Sequence, residues 1–234
     1  MIKGKKILAI IPARGGSKGL IGKNLRLLGG FPLLYWTIKA AKGSSYIDRL
    51  ILSSEDEKII STAKKYGCQS PFCRPPELAR DDTPGIEPIL HALGIISGYD
   101  YIIVLQPTSP LRLAEDIDAC LTRCISAKAN CCVSVTETGK PPFWTYLLDK
   151  RHRLLPIIKN DKKYVRRQDM PKTYQLNGAV YVAKVEWLKK HKTFLTDETI
   201  AYVMPAERSI DIDSEFDLSL CEHLLSKGPS ARGS

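Results

Sequence analysis

Long hydrophobic runs are absent from this chain of 234 residues. No apolar segment approaches the roughly 18 residues that a membrane-spanning helix requires, so we expect no membrane partner. An apolar run over 7–13 follows three lysines near the start, but it contains Pro12 and stops before Arg14. This run is too short for the hydrophobic region of a secretion signal, and we therefore expect a cytoplasmic protein.

Metal-binding patterns of histidine and cysteine are also missing. The four histidines are scattered, and the seven cysteines include no C-x-x-C pair. These absences exclude a site of the zinc-finger type. The cysteines are expected to be reduced and structural, as is usual in a reducing compartment.

Acidic residues are in deficit, with 25 Asp and Glu against 35 Lys and Arg, and the net charge is +10. Such a charge suits nucleic acid, an anionic membrane or a phosphorylated small molecule. A nucleic-acid-binding protein typically carries its cations along one helix or between aromatic residues. Here the cations are concentrated in a glycine-rich loop and in an insertion. We therefore expect a phosphorylated small molecule as ligand and no nucleic acid partner.

Short apolar segments alternate with amphipathic ones along most of the chain. Their periodicity predicts strands over 6–12, 49–53, 101–105, 131–136, 179–183 and 200–204, and helices over 32–42, 55–66, 86–96, 114–127, 185–191 and 215–226. Strands that alternate with helices indicate an α/β fold with a doubly wound, mostly parallel sheet.

This alternation breaks over 139–172, where two prolines and three aromatic residues fall between 141 and 146. Two strands over 153–158 and 162–166 are expected around the turn signal Asn160-Asp161. We predict a small arm inserted into a main domain over 1–227. The Gly-rich residues 228–234 are predicted to form a flexible tail.

The first predicted strand runs into a glycine-rich loop, which reads I-P-A-R-G-G-S-K-G-L-I-G-K-N over 11–24. Small residues let main-chain amides approach a polyphosphate, and Arg14, Lys18 and Lys23 supply positive charge. A Walker A loop would need glycine and a hydroxyl residue where Ser17 and Asn24 stand, and the fingerprint G-x-G-x-x-G is absent. The loop therefore predicts phosphate binding of another kind.

A pair of acids lies in the segment S-I-D-I-D over 209–213. In an extended chain Ile210 and Ile212 point to the core, while Asp211 and Asp213 share the opposite face. Two carboxylates this close repel each other unless a cation joins them, and Mg²⁺ accepts such oxygen ligands. We predict a Mg²⁺ site on Asp211 and Asp213. The alternative is that Asp213 or its successor caps the next helix, with Asp217 completing a capping box.

Three further segments carry polar groups suited to a base or a sugar. They read R-P-P-E-L-A-R-D over 74–81, Q-P-T-S-P-L-R over 106–112 and Y-Q-L-N-G-A-V-Y over 174–181. The second follows an apolar strand, and its prolines place neutral hydrogen-bonding groups at the carboxyl edge of the sheet. Alternatively, Thr108 and Ser109 cap the next helix, and Asn177-Gly178 is only a turn.

Together these segments resemble the motifs of the CMP-sialic acid synthetases (acylneuraminate cytidylyltransferases), in that family's order and over about 7–225. The resemblance implies a Rossmann-like nucleotidyltransferase that joins CTP to a nonulosonic acid and releases pyrophosphate, with Mg²⁺ as cofactor. The anomeric hydroxyl of the sugar would attack the α-phosphate. No histidine lies in any motif, so a metal-bound carboxylate or hydroxide is the expected base.

The resemblance also assigns residues. It implies that CTP is bound by Ala13, Arg14, Ser17, Lys18, Lys23, Asn24, Arg74 and Thr83, the sugar by Gln106, Thr108, Ser109, Arg167, Asn177, Tyr181 and Phe194, and the metal by Asp211 and Asp213. Arg14, Lys23 and Asp211 are the implied catalytic residues. The insertion resembles the family's dimerisation arm, which implies a homodimer with Arg166 and Arg167 near the sugar carboxylate of the partner. The alternative is a solvated basic hairpin.

Two positions depart from the sialic acid pattern on the sugar side. Trp144 stands where the family tends to have Lys, and Phe194-Leu195 where it tends to have two aromatic residues. An apolar Trp144 would suit a deoxy relative such as legionaminic or pseudaminic acid. Two other functions stay open: another sugar nucleotidyltransferase, of the CMP-Kdo or sugar-1-phosphate type, and a basic nucleic-acid-binding protein.

Overall fold

Ten strands and six helices make up the computed structural model, which describes residues 2–17, 19–158 and 166–227. The strands are β1 (Ile7–Pro12), β2 (Leu27–Leu28), β3 (Phe31–Pro32), β4 (Arg49–Ser53), β5 (Tyr101–Val104), β6 (Cys131–Glu137), β7 (Tyr146–Leu148), β8 (Leu154–Pro156), β9 (Tyr174–Lys184) and β10 (Ile200–Val203). The helices are α1 (Leu33–Gly43), α2 (Glu57–Lys65), α3 (Glu87–Ile95), α4 (Ala114–Ser126), α5 (Val185–His191) and α6 (Glu215–Ser226). The predicted alternation of strands and helices is confirmed.

Six strands form the central sheet in the order β10-β6-β9-β5-β1-β4. Strand β1 runs parallel to both β4 and β5, and β10 runs parallel to β6. Only β9 is antiparallel among these six, and it lies between β5 and β6. The sheet is therefore mostly parallel, as the sequence predicts, with one reversed strand near its centre.

Both faces of the sheet are covered, which is why β1 is continuously apolar. Ile7, Ala9 and Ile11 point into the cluster that α1, α2 and α4 cover. Leu8 and Ile10 point into the opposite cluster, with residues of α3 and α5. This alternation is that of a doubly wound sheet.

Two helix starts follow from capping groups. The Asp56 side chain accepts hydrogen bonds from the main-chain N–H groups of Lys58 and Ile59, at 2.8 and 3.0 Å, so α2 begins after it. Glu55 thereby lies outside the helix and is available to another part of the chain. Ser214 caps α6 and forms a capping box with Asp217. The Asp213 carboxylate is therefore not the cap.

A third apolar cluster lies beneath the glycine-rich loop and the 209–213 segment. Leu20 and Ile212 are buried in it together with Leu28, Leu111, Leu218 and other residues. Ile212 is 0% exposed, while Asp211 and Asp213 are exposed. The predicted alternation of core and solvent faces in this segment is confirmed.

The inserted segment contains a hairpin, and one of its two strands, β8, lies within the predicted strand over 153–158. β7 pairs antiparallel with β8, and the turn between them is organised by Asp149, which accepts the N–H groups of Arg151 and Arg153 at 2.8 and 2.9 Å. The expected strand over 153–158 is therefore present as β8, and it pairs with β7, a strand that the sequence analysis does not predict. That signal, the segment 159–165 and the tail 228–234 lie outside the described residues.

No helix within the described ranges has the length and apolar character needed to cross a bilayer.

Candidate active site

A cleft of about 470 Å³ opens at the carboxyl ends of β1 and β5, where Pro12 and Val104 line it. Three segments that are distant in sequence meet around it: the glycine-rich loop, residues 74–89, and the segment after β5. Tyr181 of β9 and Phe194 complete the wall. In an open α/β sheet this edge is the usual place of a ligand.

The glycine-rich loop is fixed from within by two residues that the sequence predicts as CTP contacts. The Ala13 N–H donates to the Ser53 carbonyl at 3.0 Å, and Ala13 is only 1% exposed. The buried Asn24 amide donates to the Arg14 carbonyl at 2.9 Å. Ala13 is therefore placed to anchor the loop, not to contact phosphate, whereas Asn24 anchors the loop and also lines the cleft.

Glu55 is a further anchor, which the sequence analysis does not identify. One carboxylate oxygen of Glu55 accepts the Gly15 N–H at 2.7 Å, and the other accepts the Arg74 Nε and Nη2 at 3.1 and 2.5 Å. A Cβ on Gly15 would lie 2.6 Å from Asp56 Oδ2, so only glycine allows this approach. The Gly15 N–H is thus already hydrogen-bonded to Glu55. Arg74 lines the cleft and is held in place by its buried ion pair with Glu55.

The two described cations of the loop both form ion pairs with acidic residues that are distant in sequence. Arg14 forms an ion pair with Asp81 at 2.8 Å and donates to the Arg80 carbonyl at 3.1 Å. Lys23 forms an ion pair with Asp213 at 2.7 Å and donates to the Ile212 carbonyl at 3.0 Å. Both side chains line the cleft, as Ser17 does. Lys18, the third predicted cation, lies outside the described residues.

The 209–213 segment packs directly against the loop. A Cβ on Gly19 would lie 2.6 Å from the Asp213 carbonyl oxygen, so the two backbones are in contact there. On the other side, the Ile212 N–H donates to the Thr108 carbonyl at 2.8 Å. The acids are therefore held between the phosphate-type loop and the segment that follows β5.

Asp211 is exposed and lies close to Thr108 of the cleft wall, and neighbouring protein partly desolvates its carboxyl. This desolvation raises the pKa of Asp211 above its usual value, and the charge of Asp213 adds to the increase. A hydrogen bond from Thr108 and the charge of Lys23 act in the opposite direction. The hydrogen bond and the lysine charge only partly offset the causes that raise the pKa of Asp211.

The donor set fits Mg²⁺. Asp211 and Asp213 provide two carboxylates, and Mg²⁺ is usually held by one or two carboxylates together with phosphate oxygens of a substrate. A carboxylate whose pKa is raised by desolvation and by a neighbouring acid is stabilised when a cation joins the pair. Among the described residues, no group of three or more His, Cys, Asp or Glu side chains forms a ready-made metal site. The phosphates would have to supply the remaining ligands.

Of the residues predicted to contact the sugar, Gln106, Thr108, Tyr181 and Phe194 line the cleft. The rings of Tyr181 and Phe194 pack with their centroids 5.4 Å apart. Burial, with a contribution from the charge of Asp211, raises the pKa of Tyr181. This wall combines aromatic surface with amide and hydroxyl groups, which suits a sugar that carries apolar substituents.

Ser109 and Asn177, which the sequence also predicts as sugar contacts, are placed in the interior instead, with 0% and 4% exposed. The Asn177 amide donates to Ser209 Oγ at 2.9 Å and its Oδ1 accepts from Ser134 Oγ at 2.6 Å. Ser109 Oγ donates to the Asn177 carbonyl at 3.4 Å. Both side chains are committed to the polar interior, so they support the cleft from behind and do not reach a ligand in it.

Two predicted contacts remain. Thr83 lines the cleft, and its hydroxyl donates to the Glu77 carbonyl at 2.8 Å. Arg167 begins a short 3-10 turn, Arg167–Asp169, but its side chain lies outside what the structure describes.

A glycine-rich loop with two cations, facing two carboxylates at the carboxyl edge of a mostly parallel sheet, defines a nucleotide-binding α/β protein. Two solved structures share the fold. The structure of CMP:2-keto-3-deoxy-manno-octonic acid synthetase complexed with CTP has a TM-score of 0.72 and 15% identity, and the match covers 95% of this chain and 99% of that one. The structure of 4-diphosphocytidyl-2C-methyl-D-erythritol synthase from Anaerococcus prevotii has a TM-score of 0.66 and 16% identity, and the match covers 96% of this chain and 98% of that one. At these identities the likeness shows the fold alone.

Sequence comparison gives the family. A family model described as cytidylyltransferase matches residues 8–224. The chain is 34% identical over 227 residues to the CMP-N,N'-diacetyllegionaminic acid synthase of Legionella pneumophila, covering 94% of this chain and 96% of that protein. It is 31% identical over 225 residues to the pseudaminic acid cytidylyltransferase of Campylobacter jejuni, with the same coverage. The chain belongs to the cytidylyltransferase family of nucleotidyltransferases.

The N-acylneuraminate cytidylyltransferase of Escherichia coli is 38% identical over 216 residues, which are 92% of this chain. The match covers 51% of the Escherichia coli protein, so this chain spans about half the length of that relative.

Proposed function

We propose that this protein transfers CMP from CTP to the anomeric hydroxyl of a nonulosonic acid and releases pyrophosphate. The observation that carries the proposal is the meeting of the glycine-rich loop with the acidic pair, seen in the 2.7 Å contact between Lys23 and Asp213. The activities that the names of the Legionella and Campylobacter relatives state, which match this chain over 96% of their length, support the same reaction.

In the proposed reaction the sugar oxygen forms a bond to the α-phosphorus of CTP, and the bond from that phosphorus to the bridging oxygen of pyrophosphate breaks. Catalysis of such a step consists mainly of positioning and charge neutralisation. Arg14 and Lys23 are placed to bind the phosphates, and Asp211 and Asp213 to hold Mg²⁺. Mg²⁺, when bound, withdraws charge from the phosphate oxygens.

The proton of the attacking hydroxyl needs an acceptor. No histidine lines the cleft among the described residues. We assign the proton to the Asp211 carboxylate, which is exposed, lies close to Thr108 of the cleft wall and matches the metal-bound carboxylate expected from the sequence.

The proposal extends to a homodimer formed through the hairpin of β7 and β8. Its leucines are unusually exposed for apolar side chains, with Leu147 at 59%, Leu148 at 62% and Leu154 at 63%. Exposed apolar side chains concentrated on one hairpin favour a protein partner. A second copy of the chain is the partner that we propose. We further propose a reducing, cytosolic location, which the seven free cysteines support.

The function is tested with the purified chain, CTP, Mg²⁺ and a panel of N-acetylneuraminic, legionaminic, pseudaminic and 3-deoxy-manno-octulosonic acids. Pyrophosphate release and the CMP-sugar are measured together. Turnover of at least one nine-carbon acid, dependent on CTP, is expected. Turnover of the eight-carbon acid alone, or of none, would overturn the proposal. A gel-shift with duplex DNA and RNA tests the nucleic-acid alternative.

A further inference from the structure

Arg112 ends the Q-P-T-S-P-L-R segment, and only 2% of it is exposed. Its Nη1 donates to two main-chain carbonyls, that of Gln106 at 3.2 Å and that of Ala179 at 2.7 Å. Its Nη2 donates to the Thr37 hydroxyl at 2.7 Å. One guanidinium therefore joins α1, the segment after β5, and β9 at a point directly behind the cleft.

The hydrogen-bond partners of this cation are all neutral, and the charge of Asp116 offsets only part of the effect of its burial. No carboxylate within the described ranges accepts a hydrogen bond from Arg112, and Asp116 is engaged instead by Arg208 at 3.0 and 2.8 Å. Burial of a charge without an ion pair costs free energy, and here desolvation lowers the pKa of the Arg112 guanidinium. An apolar side chain of similar length would avoid that cost, so packing alone does not account for an arginine at this position.

The carbonyls that Arg112 binds belong to residues beside the sugar side of the cleft. Gln106 lines the cleft, and its Oε1 lies 3.1 Å from the point where a Cβ on Gly178 would be. Gly178 precedes Ala179 in β9, and Tyr181 of the same strand also lines the cleft. The spacing between Gln106 and β9 thus determines how the Gln106 amide and the Tyr181 ring face each other across the site.

We propose that Arg112 is a positioning residue of the sugar site: it fixes the distance between the Gln106 main chain and β9, and thereby the orientation of the groups that receive the acid sugar. The inference rests on the proposed function for the identity of that ligand. The residues on the CTP side, Arg14, Arg74 and Thr83, have no hydrogen bond to Arg112 in the described structure. A change at Arg112 should therefore act on the sugar and not on CTP.

Arginine is suited to this role because its planar fork can satisfy several acceptors at fixed angles. The two hydrogens on Nη1 serve two carbonyls, and Nη2 serves the Thr37 hydroxyl. Lysine would keep the charge, but its single ammonium cannot reproduce this planar pattern. The variant Arg112→Lys therefore separates geometry from charge.

The kinetic test compares Arg112→Lys with Arg123→Lys. Arg123 is a matched control, because its Nε also donates to a strand carbonyl, that of Ala201 at 2.6 Å, but it does not line the cleft. For Arg112→Lys we expect kcat/KM for the acid sugar to fall by about 100-fold, as small misplacements near a reacting group can do, with KM for CTP nearly unchanged. Arg123→Lys should leave both parameters near wild type. A parallel loss for CTP and sugar, or equal behaviour of the two variants, would overturn the inference.

A second measurement does not depend on turnover. Hydrogen exchange of the free protein should be faster in Arg112→Lys for peptides covering 104–109 and 176–181, and unchanged for β4. The isosteric variant Thr37→Val, which removes one acceptor of Arg112, should show a smaller change at the same places. Unchanged or uniformly faster exchange would contradict the positioning role. If the wild type turned over no nonulosonic acid, the proposed function would be wrong. The hydrogen-exchange rates would still show whether Arg112 fixes the position of the Gln106 main chain and β9.

Discussion

The ammonium group of Lys23 lies 2.7 Å from the carboxylate of Asp213, although 190 positions of sequence separate the two residues. Lys23 belongs to the loop that follows the first strand, and Asp213 precedes the last helix. The contact places a positive and a negative side chain side by side next to the glycine-rich loop. In the proposed reaction Lys23 would bind phosphate, and Asp211 and Asp213 would hold Mg²⁺, which would supply charge neutralisation.

Asp211→Asn should abolish most of the activity without unfolding the protein. The variant removes the proposed metal ligand and proton acceptor, and loss of several kcal/mol of charge stabilisation corresponds to a fall in kcat of more than about 100-fold. The variant should unfold at a temperature no lower than that of the wild type, because the substitution removes a carboxylate that is partly desolvated and that Asp213 repels. Turnover near the wild-type rate, measured at saturating Mg²⁺, would remove Asp211 from the mechanism.

Arg14→Gln should raise KM for CTP by roughly 10- to 100-fold, since a hydrogen bond to a charged group contributes about 1.5–3 kcal/mol. Arg26→Gln is the control, because Arg26 ends the same loop region but pairs with Glu215 at 2.8 Å and does not line the cleft. Initial rates at varied CTP measure both variants. A CTP dependence that is the same in Arg14→Gln and Arg26→Gln would show that the Arg14 guanidinium does not bind phosphate.

Local sequence periodicity was enough to place the acids. An alternation of two residues puts Ile212 in the core and Asp211 on the exposed face. The direction of β9 could not be predicted in this way. It depends on pairing with β5 and β6, and each of these strands is more than 30 residues away along the chain. A run of apolar residues carries no sign of the direction in which its strand will run.

The partners of buried polar residues were also beyond sequence reasoning. Arg74 lies in a motif that suggests a ligand, but its guanidinium is held by Glu55, which belongs to no motif and stands before a helix. Asn177 likewise donates to Ser209, which is 32 positions away. A motif identifies residues that are needed at a site, but only the tertiary structure separates those that touch the ligand from those that hold the others.

The hairpin should be the dimer contact. Leu148 and Leu154 face each other as paired residues of β7 and β8, and both are exposed. Replacing both by Asp would place charge in an apolar interface and should yield a monomer by light scattering. Phe216→Asp is the control, because Phe216 is 75% exposed on α6, away from the hairpin. A wild-type chain that is already monomeric at micromolar concentration would contradict the prediction.

The buried thiols should be unreactive and should make stability fall at high pH. Burial raises the pKa of Cys68, Cys124, Cys131 and Cys221 to about 12. Between the ordinary thiol value, about 8.5, and 12 the unfolded chain loses these protons first, so the free energy of unfolding decreases as pH rises. Maleimide at pH 8 should modify only the exposed Cys73 in the native protein and all seven cysteines after unfolding. Native labelling at several sites, read by mass spectrometry, would refute this assignment of burial.

A comparison of Gly178→Ala with Gly98→Ala should separate the effect of backbone strain on stability from the effect of a displaced Gln106 side chain on activity. Both glycines have positive φ, +71° at Gly178 and +86° at Gly98, so alanine at either position should destabilise the fold by about 1–2 kcal/mol. At Gly98 the added Cβ meets no atom within 4 Å, whereas at Gly178 it lies 3.1 Å from Gln106 Oε1 and 3.5 Å from Asp211 Oδ2. The Gln106 amide must then move by a few tenths of an ångström, and kcat should fall clearly in Gly178→Ala alone. Urea unfolding gives the stability of each variant and initial rates give its activity. Equal losses of activity in the two variants would show that strain, and not the position of Gln106, limits turnover.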